Sequence, residues 1–229
     1  MKAAIISINR LRMKVDGEGV TTLVAMLGCP LRCRYCLNPV SWDESVKGKR
    51  YSPEELYEEV KIDNLYFLTT NGGIVFGGGE PLLQSGFIKE FCAKYRNLGW
   101  KFGMETSLNV ETARLDEVIE FMDYYIVDIK DMNPLRYETY TGAHFEPFKK
   151  NLDYLLKYAG PDKIFIRIPQ IPYFHYHAEW EESEKILSQM GFQNIEIFPY
   201  VDVSKRKELS LKARNNALDF IRAAKNTEL

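Results

Sequence analysis

The chain has 229 residues, of which 45% are hydrophobic and 27% charged, and its 30 basic and 32 acidic side chains leave a net charge of −2. That balance argues against a dedicated nucleic-acid or membrane-surface binder. The length suits one α/β domain spanning 1–229, large enough to bury an apolar core without disulfides.

The opening "MKAAIISINRLRMK" holds an apolar run of only Ala3 to Ile6, too short for a signal peptide or a membrane span. A cytoplasmic protein with reduced thiols is expected. A short strand over 3–8, in an N-terminal strand or hairpin over 1–20, precedes a core of 21–229. Strand-like and helix-like runs then alternate. The β-branched run 21–27 ("TTLVAML") predicts a strand. Ser52, Pro53 and Glu55 open a helix as N-cap, first position and capping-box partner. A strand over 73–77 leads to a helix over 87–98 that stops at Gly99. A strand over 101–107 leads to a helix over 113–122, with Leu115, Val118, Ile119 and Met122 on one face. Strands over 124–130, 164–168 and 195–200 alternate with helices over 148–158, 179–190 and 209–224.

Six such units predict an open, partial (β/α)6 TIM-like barrel of parallel strands with helices outside. In barrels of this kind chemistry sits at the carboxyl ends of the strands. The chemically unusual residues fall there: a cysteine cluster after the first core strand, "GGGEP" after the second, "ET", "DIK", "RIP" and "PY" at the next four. A common cavity explains that recurrence.

Cys29, Cys33 and Cys36 lie within "GCPLRCRYCLNP" as Cys-x3-Cys-x2-Cys. Structural zinc sites take four protein ligands. No fourth lies nearby: His144, His175 and His177 are distant, and Cys92 falls on a predicted helix as a core residue. A four-iron cluster held by three thiolates accounts for the count and leaves one iron open to a small molecule. A zinc-binding interaction module is the alternative at this point.

With an aromatic, Tyr35, before the last cysteine, this pattern resembles the signature of radical S-adenosylmethionine (SAM) enzymes. The resemblance runs over nearly the whole chain. It is closest to the activating enzymes of glycyl radical enzymes, whose type member is pyruvate formate-lyase activating enzyme. "VDGEG", "FGGGEPLLQ", "METS", "VDIKDM", "YTG", "NLDYL", "IRIP" and "PY" carry it in order.

The resemblance implies a [4Fe-4S] cluster on Cys29, Cys33 and Cys36 that reductively cleaves SAM, with no catalytic side chain beyond cluster and SAM. The 5′-deoxyadenosyl radical so formed takes a hydrogen atom from a glycine of a partner glycyl radical enzyme, under anaerobic conditions. An electron donor such as flavodoxin or ferredoxin is implied; nucleic acid and membrane are not. The implied SAM contacts are Tyr35, Gly78, Gly79, Glu80, Thr106, Lys130 and Arg167, with Glu80 receiving the methionine ammonium. For Lys130 and Arg167, a surface ion pair is the plainer reading.

Glu105 and Asp128 match aspartates that hold a monovalent cation in the type enzyme, aided by backbone carbonyls at Thr106 and Ile126. Glu105 is one methylene longer and could pair with Lys130 instead. Asp16 and Gly17 match a segment near the bound peptide, and also read as a plain hairpin turn. Leu37 and Val201 stand where the type enzyme has histidines, so contacts at that rim differ. The loop 170–177 reads as a packed surface loop or a cover for the site. A deazaguanine-synthase-like enzyme acting on a small molecule or peptide keeps the chemistry and changes the substrate.

Overall fold

In a computed structural model of the protein, residues 1–171 and 179–200 are described. Residues Met1–Phe198 form one compact unit and Pro199–Leu229 a second, of which only Pro199 and Tyr200 are described. The expected helix over 209–224, Val201, and most of the aromatic loop with His175 and His177 lie outside the described residues.

Two strands, β1 (Ala3–Met13) and β2 (Val20–Met26), form an antiparallel pair, and the short β3 (Lys49–Tyr51) runs antiparallel along the outer side of β1. Next come α1 (Pro53–Val60), α2 (Asn64–Thr70), β4 (Gly73–Gly78), α3 (Ser85–Tyr95), β5 (Lys101–Thr106), α4 (Thr112–Asp116) and β6 (Tyr124–Asp128). The described chain continues through α5 (Pro134–Thr141), α6 (Phe145–Ala159), β7 (Ile164–Gln170), α7 (Glu179–Met190) and β8 (Asn194–Pro199). The sheet order is β3-β1-β2-β4-β5-β6-β7-β8, with β2, β4, β5, β6 and β7 mutually parallel, and the sheet does not close.

The six expected core strands are all present, within a mostly parallel, open α/β sheet. The N-terminal strand is longer than expected, with 11 residues, because antiparallel pairing carries it past Arg10 and Arg12, where the apolar pattern ends. The helix expected over 113–122 stops at Asp116. Beyond it the chain turns tightly, with Val118 bonded to Leu115 and Phe121 to Val118, so the apolar spacing is kept without α-helical bonding. At α1 the capping box forms as expected, Ser52 and Glu55 each bonding the other's backbone N–H. Helices α2 and α5 were not anticipated. On α2 only Phe67 is buried, while exposed Leu65, Tyr66 and Leu68 blur its stripe.

Alternation along the strands divides the sheet into two faces. Val24, Met26, Ile74, Phe76, Phe102, Met104, Tyr125, Val127, Ile164 and Ile166 are buried in the core that the helices share. Tyr124, Ile126, Phe165 and Arg167 line a cavity of about 700 Å³ on the other face. Among the described residues the helices pack against the first of these faces.

Candidate active site at the carboxyl ends of the strands

The cysteine loop leaves β2 and is tied down on two sides. Toward β4, Gly28 O accepts from Glu80 N at 2.7 Å, Met26 O from Gly79 N at 3.0 Å, and the Asn38 amide donates to Gly78 O at 3.2 Å. Toward α5, Arg32 N and Arg34 N donate to Thr141 O (2.7 Å) and Tyr140 O (3.2 Å), and Tyr35 stacks on Tyr140 at 6.3 Å. "YTG" therefore braces the loop, with Gly142 ending α5 in the left-handed conformation. The Arg32 side chain closes the loop on itself through the Cys29 and Leu31 carbonyls and lies over Trp42.

All three thiols are half-buried. Burial pushes Cys29 up to about 12 and raises Cys33 as well, so neither ionises readily without a cation beside it. That does not suit free nucleophiles. A bound cluster would stabilise these thiolates. The Asn38 N–H donates to Cys36 Sγ at 3.4 Å, the kind of bond that tunes a cluster sulfur. Among the described residues no three His, Cys, Asp or Glu side chains gather on a point that one metal ion would fill. A cluster needs no such point, because each thiolate meets its own iron. The residues fit a cluster better than a closed zinc site.

The glycine–glutamate turn packs closely against β2 and the cysteine loop. Gly78 has φ +92°, and a Cβ there would meet Ala25 at 2.7 Å; a Cβ on Gly79 would run into the carbonyl of Gly28. Gly78 is required by the approach of β2, and Gly79 by the start of the cysteine loop. Glu80 is 0% exposed. Its carboxylate accepts from Leu82 N (3.1 Å), Thr106 Oγ1 (2.7 Å), Ser107 N (2.8 Å) and Ser107 Oγ (2.6 Å). Burial raises its pKa and these bonds oppose the rise.

Opposite the turn, β5, β6 and β7 present a set of charges. Lys130 pairs with Asp128 at 3.4 Å and Arg167 with Glu105 at 3.4 Å. Their side chains are only 17% and 19% exposed, so neither pair is a plain surface bridge. Glu105 takes Arg167 as its close partner rather than Lys130, and both candidate cation ligands are thus paired with the chain's own cations. Burial, then Asp128 and Asp16, push Glu105 up to about 7, against the pull of Arg167 and Lys130. Burial alone would lower Lys130; Asp128 foremost among its neighbours reverses that and raises it, and Cys33 is near enough to contribute.

Asp16 is buried, held by a two-pronged ion pair with Arg12, and its carbonyl accepts from Tyr124 Oη at 2.7 Å. A Cβ on Gly17 would strike the Tyr124 ring. The hairpin turn is thus packed into the sheet face, and the Asp16 carboxylate is engaged by Arg12. Leu37 is 42% exposed at the rim of the cysteine loop. The cavity adjoins this site through Arg167 and Ile126; the cysteine loop does not line it.

Ser107, Arg12, Tyr124, Gln84 and Asn151 were not singled out from the sequence, although Ser107, Gln84 and Asn151 sit in segments that carried the resemblance. Gln84 bonds Ala4 on both sides and the Leu27 carbonyl. Asn151, buried on α6, bonds the Leu108 and Val110 carbonyls and so fixes the chain leaving β5. A buried asparagine in an amphipathic helix is the signal that was available.

The sequence model of the radical SAM superfamily matches residues 23–183, more than half of the chain. The chain belongs to the radical SAM superfamily and is an enzyme of that class. It is 27% identical to the (2S)-3-sulfopropanediol dehydratase activating enzyme of Klebsiella oxytoca, over 90% of this chain and 84% of the relative. It is also 27% identical to the pyruvate formate-lyase-activating enzyme of Clostridium pasteurianum, over 94% and 90%. Among solved structures, a domain of pyruvate-formate lyase-activating enzyme from Bacteroides vulgatus matches with TM-score 0.50 and 26% identity, over 57% of this chain and 82% of that one. The resemblance to glycyl radical enzyme activating enzymes is therefore supported along most of the chain. No helix among the described residues is long and apolar enough to cross a membrane.

Proposed function

We propose that this chain activates a glycyl radical enzyme, abstracting a hydrogen atom from one glycine of a partner protein. The observation that carries the reading is the tie between a three-thiol loop and the glycine–glutamate turn, facing the Lys130–Asp128 and Arg167–Glu105 pairs. Cys29, Cys33 and Cys36 hold a [4Fe-4S] cluster, and Gly78, Gly79, Lys130 and Arg167 border SAM. Held there, a reduced cluster would supply the one electron that splits the carbon–sulfur bond of SAM, so that methionine, 5′-deoxyadenosine and a glycyl radical on the partner would be the products. The electron comes from a small donor such as flavodoxin or ferredoxin.

The chain's own residues do the rest. Lys130 and Arg167 are part-buried cations that complement a carboxylate and hydroxyl groups. Tyr35, stacked on Tyr140, stiffens the loop between the last two thiols. The cavity past Arg167, floored by Tyr124 and Phe165, lies toward the amino ends of the strands, below the reacting carbon. The names of the curated relatives support a protein substrate.

Anaerobic reconstitution with iron and sulfide tests the reading. Wild-type chain is expected to bind the cluster and, with reductant, to convert SAM to 5′-deoxyadenosine. Cys29→Ala, Cys33→Ala and Cys36→Ala are each expected to lose both properties. Wild-type yields from any of the three would contradict the reading.

A further inference from the structure

All four acceptor positions of the Glu80 carboxylate are used within the protein. Oε1 takes the Leu82 N–H and the Thr106 hydroxyl; Oε2 takes both the N–H and the hydroxyl of Ser107. The Thr106 oxygen itself accepts from Leu108 N at 3.0 Å, which directs its proton toward Glu80. A carboxylate offers about four such positions. To bind a ligand it would have to give one up inside a site that is 0% exposed. The backbone of the same residue donates to Gly28 O at 2.7 Å, one residue before Cys29. Glu80 thus joins three segments: the β4 exit, the β5 exit and the start of the cysteine loop.

We propose that Glu80 is a positioning residue, clamping the β5 exit to the glycine turn that carries the cysteine loop, and that it does not contact the SAM ammonium. Thr106 and Ser107 are then positioning residues of the same rank. The inference rests on the proposed function for its ligand, and on the hydrogen bonds alone for the clamp.

The variants Glu80→Gln, Thr106→Val, Thr106→Ser, Ser107→Ala and the double Thr106→Val/Ser107→Ala test it. The melting temperature of the full chain is read before iron is added. SAM affinity and the electron paramagnetic resonance spectrum of the reduced cluster, without SAM, are read after reconstitution. Thr106→Val and Ser107→Ala are each expected to lower the melting temperature, alter the spectrum and weaken SAM binding about tenfold. Thr106→Ser restores all three. The double variant loses as much SAM affinity as Glu80→Gln, and Thr106→Val adds little in the Glu80→Gln background.

Wild-type SAM affinity in the Thr106 and Ser107 variants, with a loss in Glu80→Gln, would overturn the proposal and make Glu80 a direct ligand. Strictly additive melting effects of Glu80→Gln and Thr106→Val would overturn it too. A chain that assembles no cluster sinks the activase reading instead, while the melting data still decide the clamp.

Discussion

The guanidinium of Arg167 lies 3.4 Å from the Glu105 carboxylate and also donates to the carbonyl of Val15. One side chain on β7 therefore joins β5 and the N-terminal hairpin across the face that carries the cavity. A lysine keeps the charge but lacks the fork that reaches both partners. Arg167→Lys is expected to weaken SAM binding about tenfold and to speed amide exchange over 14–18. Unchanged exchange would mean that the hairpin is held without Arg167.

Glu105 links the same cluster to pH. Burial, then the charges of Asp128 and Asp16, raise it from 4.5 to about 7. The folded chain then keeps a proton there that the unfolded chain releases at lower pH, so this group's contribution is full below about 4.5 and is lost as pH rises toward 7. Glu105→Gln removes that dependence. Its stability relative to wild type, from denaturant midpoints before SAM is added, is expected to rise between pH 5 and pH 7.5 and then level off. A flat difference would contradict the assigned burial.

Gly79 has no room for a side chain because the Gly28 carbonyl sits against it. Gly79→Ala is expected to displace the cysteine loop, so that the protein retains its far-ultraviolet circular dichroism but binds markedly less iron and sulfide. Full cluster content would show that the loop tolerates a shift at this contact.

Ser52 lies far along the chain from these residues and caps α1. Ser52→Ala is expected to cost about 1 kcal/mol, a fall of roughly 2–4 °C in melting temperature. The SAM cleavage rate per bound cluster is expected to stay at the wild-type value.

Much of the fold was legible because its signals are local. Capping at Ser52, the stop at Gly99 and the β-branched runs each depend on a few adjacent residues. The antiparallel extension of β1 was not, since Arg10 and Arg12 are exposed to a pattern reading and find their partners, Asp63 and Asp16, only after folding. At the site, the cysteine spacing announced itself. The hydrogen bonds of Glu80 did not, because a motif says which residue is present and not how many donors reach it. Ser107 and Asn151 supply or position those contacts from other elements, at separations no local pattern reports. The pairing of Glu105 was ambiguous for a similar reason: which cation it meets depends on strand order, and Lys130 follows β6 while Arg167 lies on β7.

The central claim is that a glycine of a partner protein is the substrate. It is tested most directly by electron paramagnetic resonance of a candidate glycyl radical enzyme after anaerobic incubation with the reconstituted chain, reductant and SAM. The expected result is an organic radical on the partner, dependent on Cys29, Cys33 and Cys36, whose splitting collapses when its glycine is deuterated at the α-carbon. SAM cleavage without a radical on any candidate partner would contradict the claim and point to a small-molecule or peptide substrate instead.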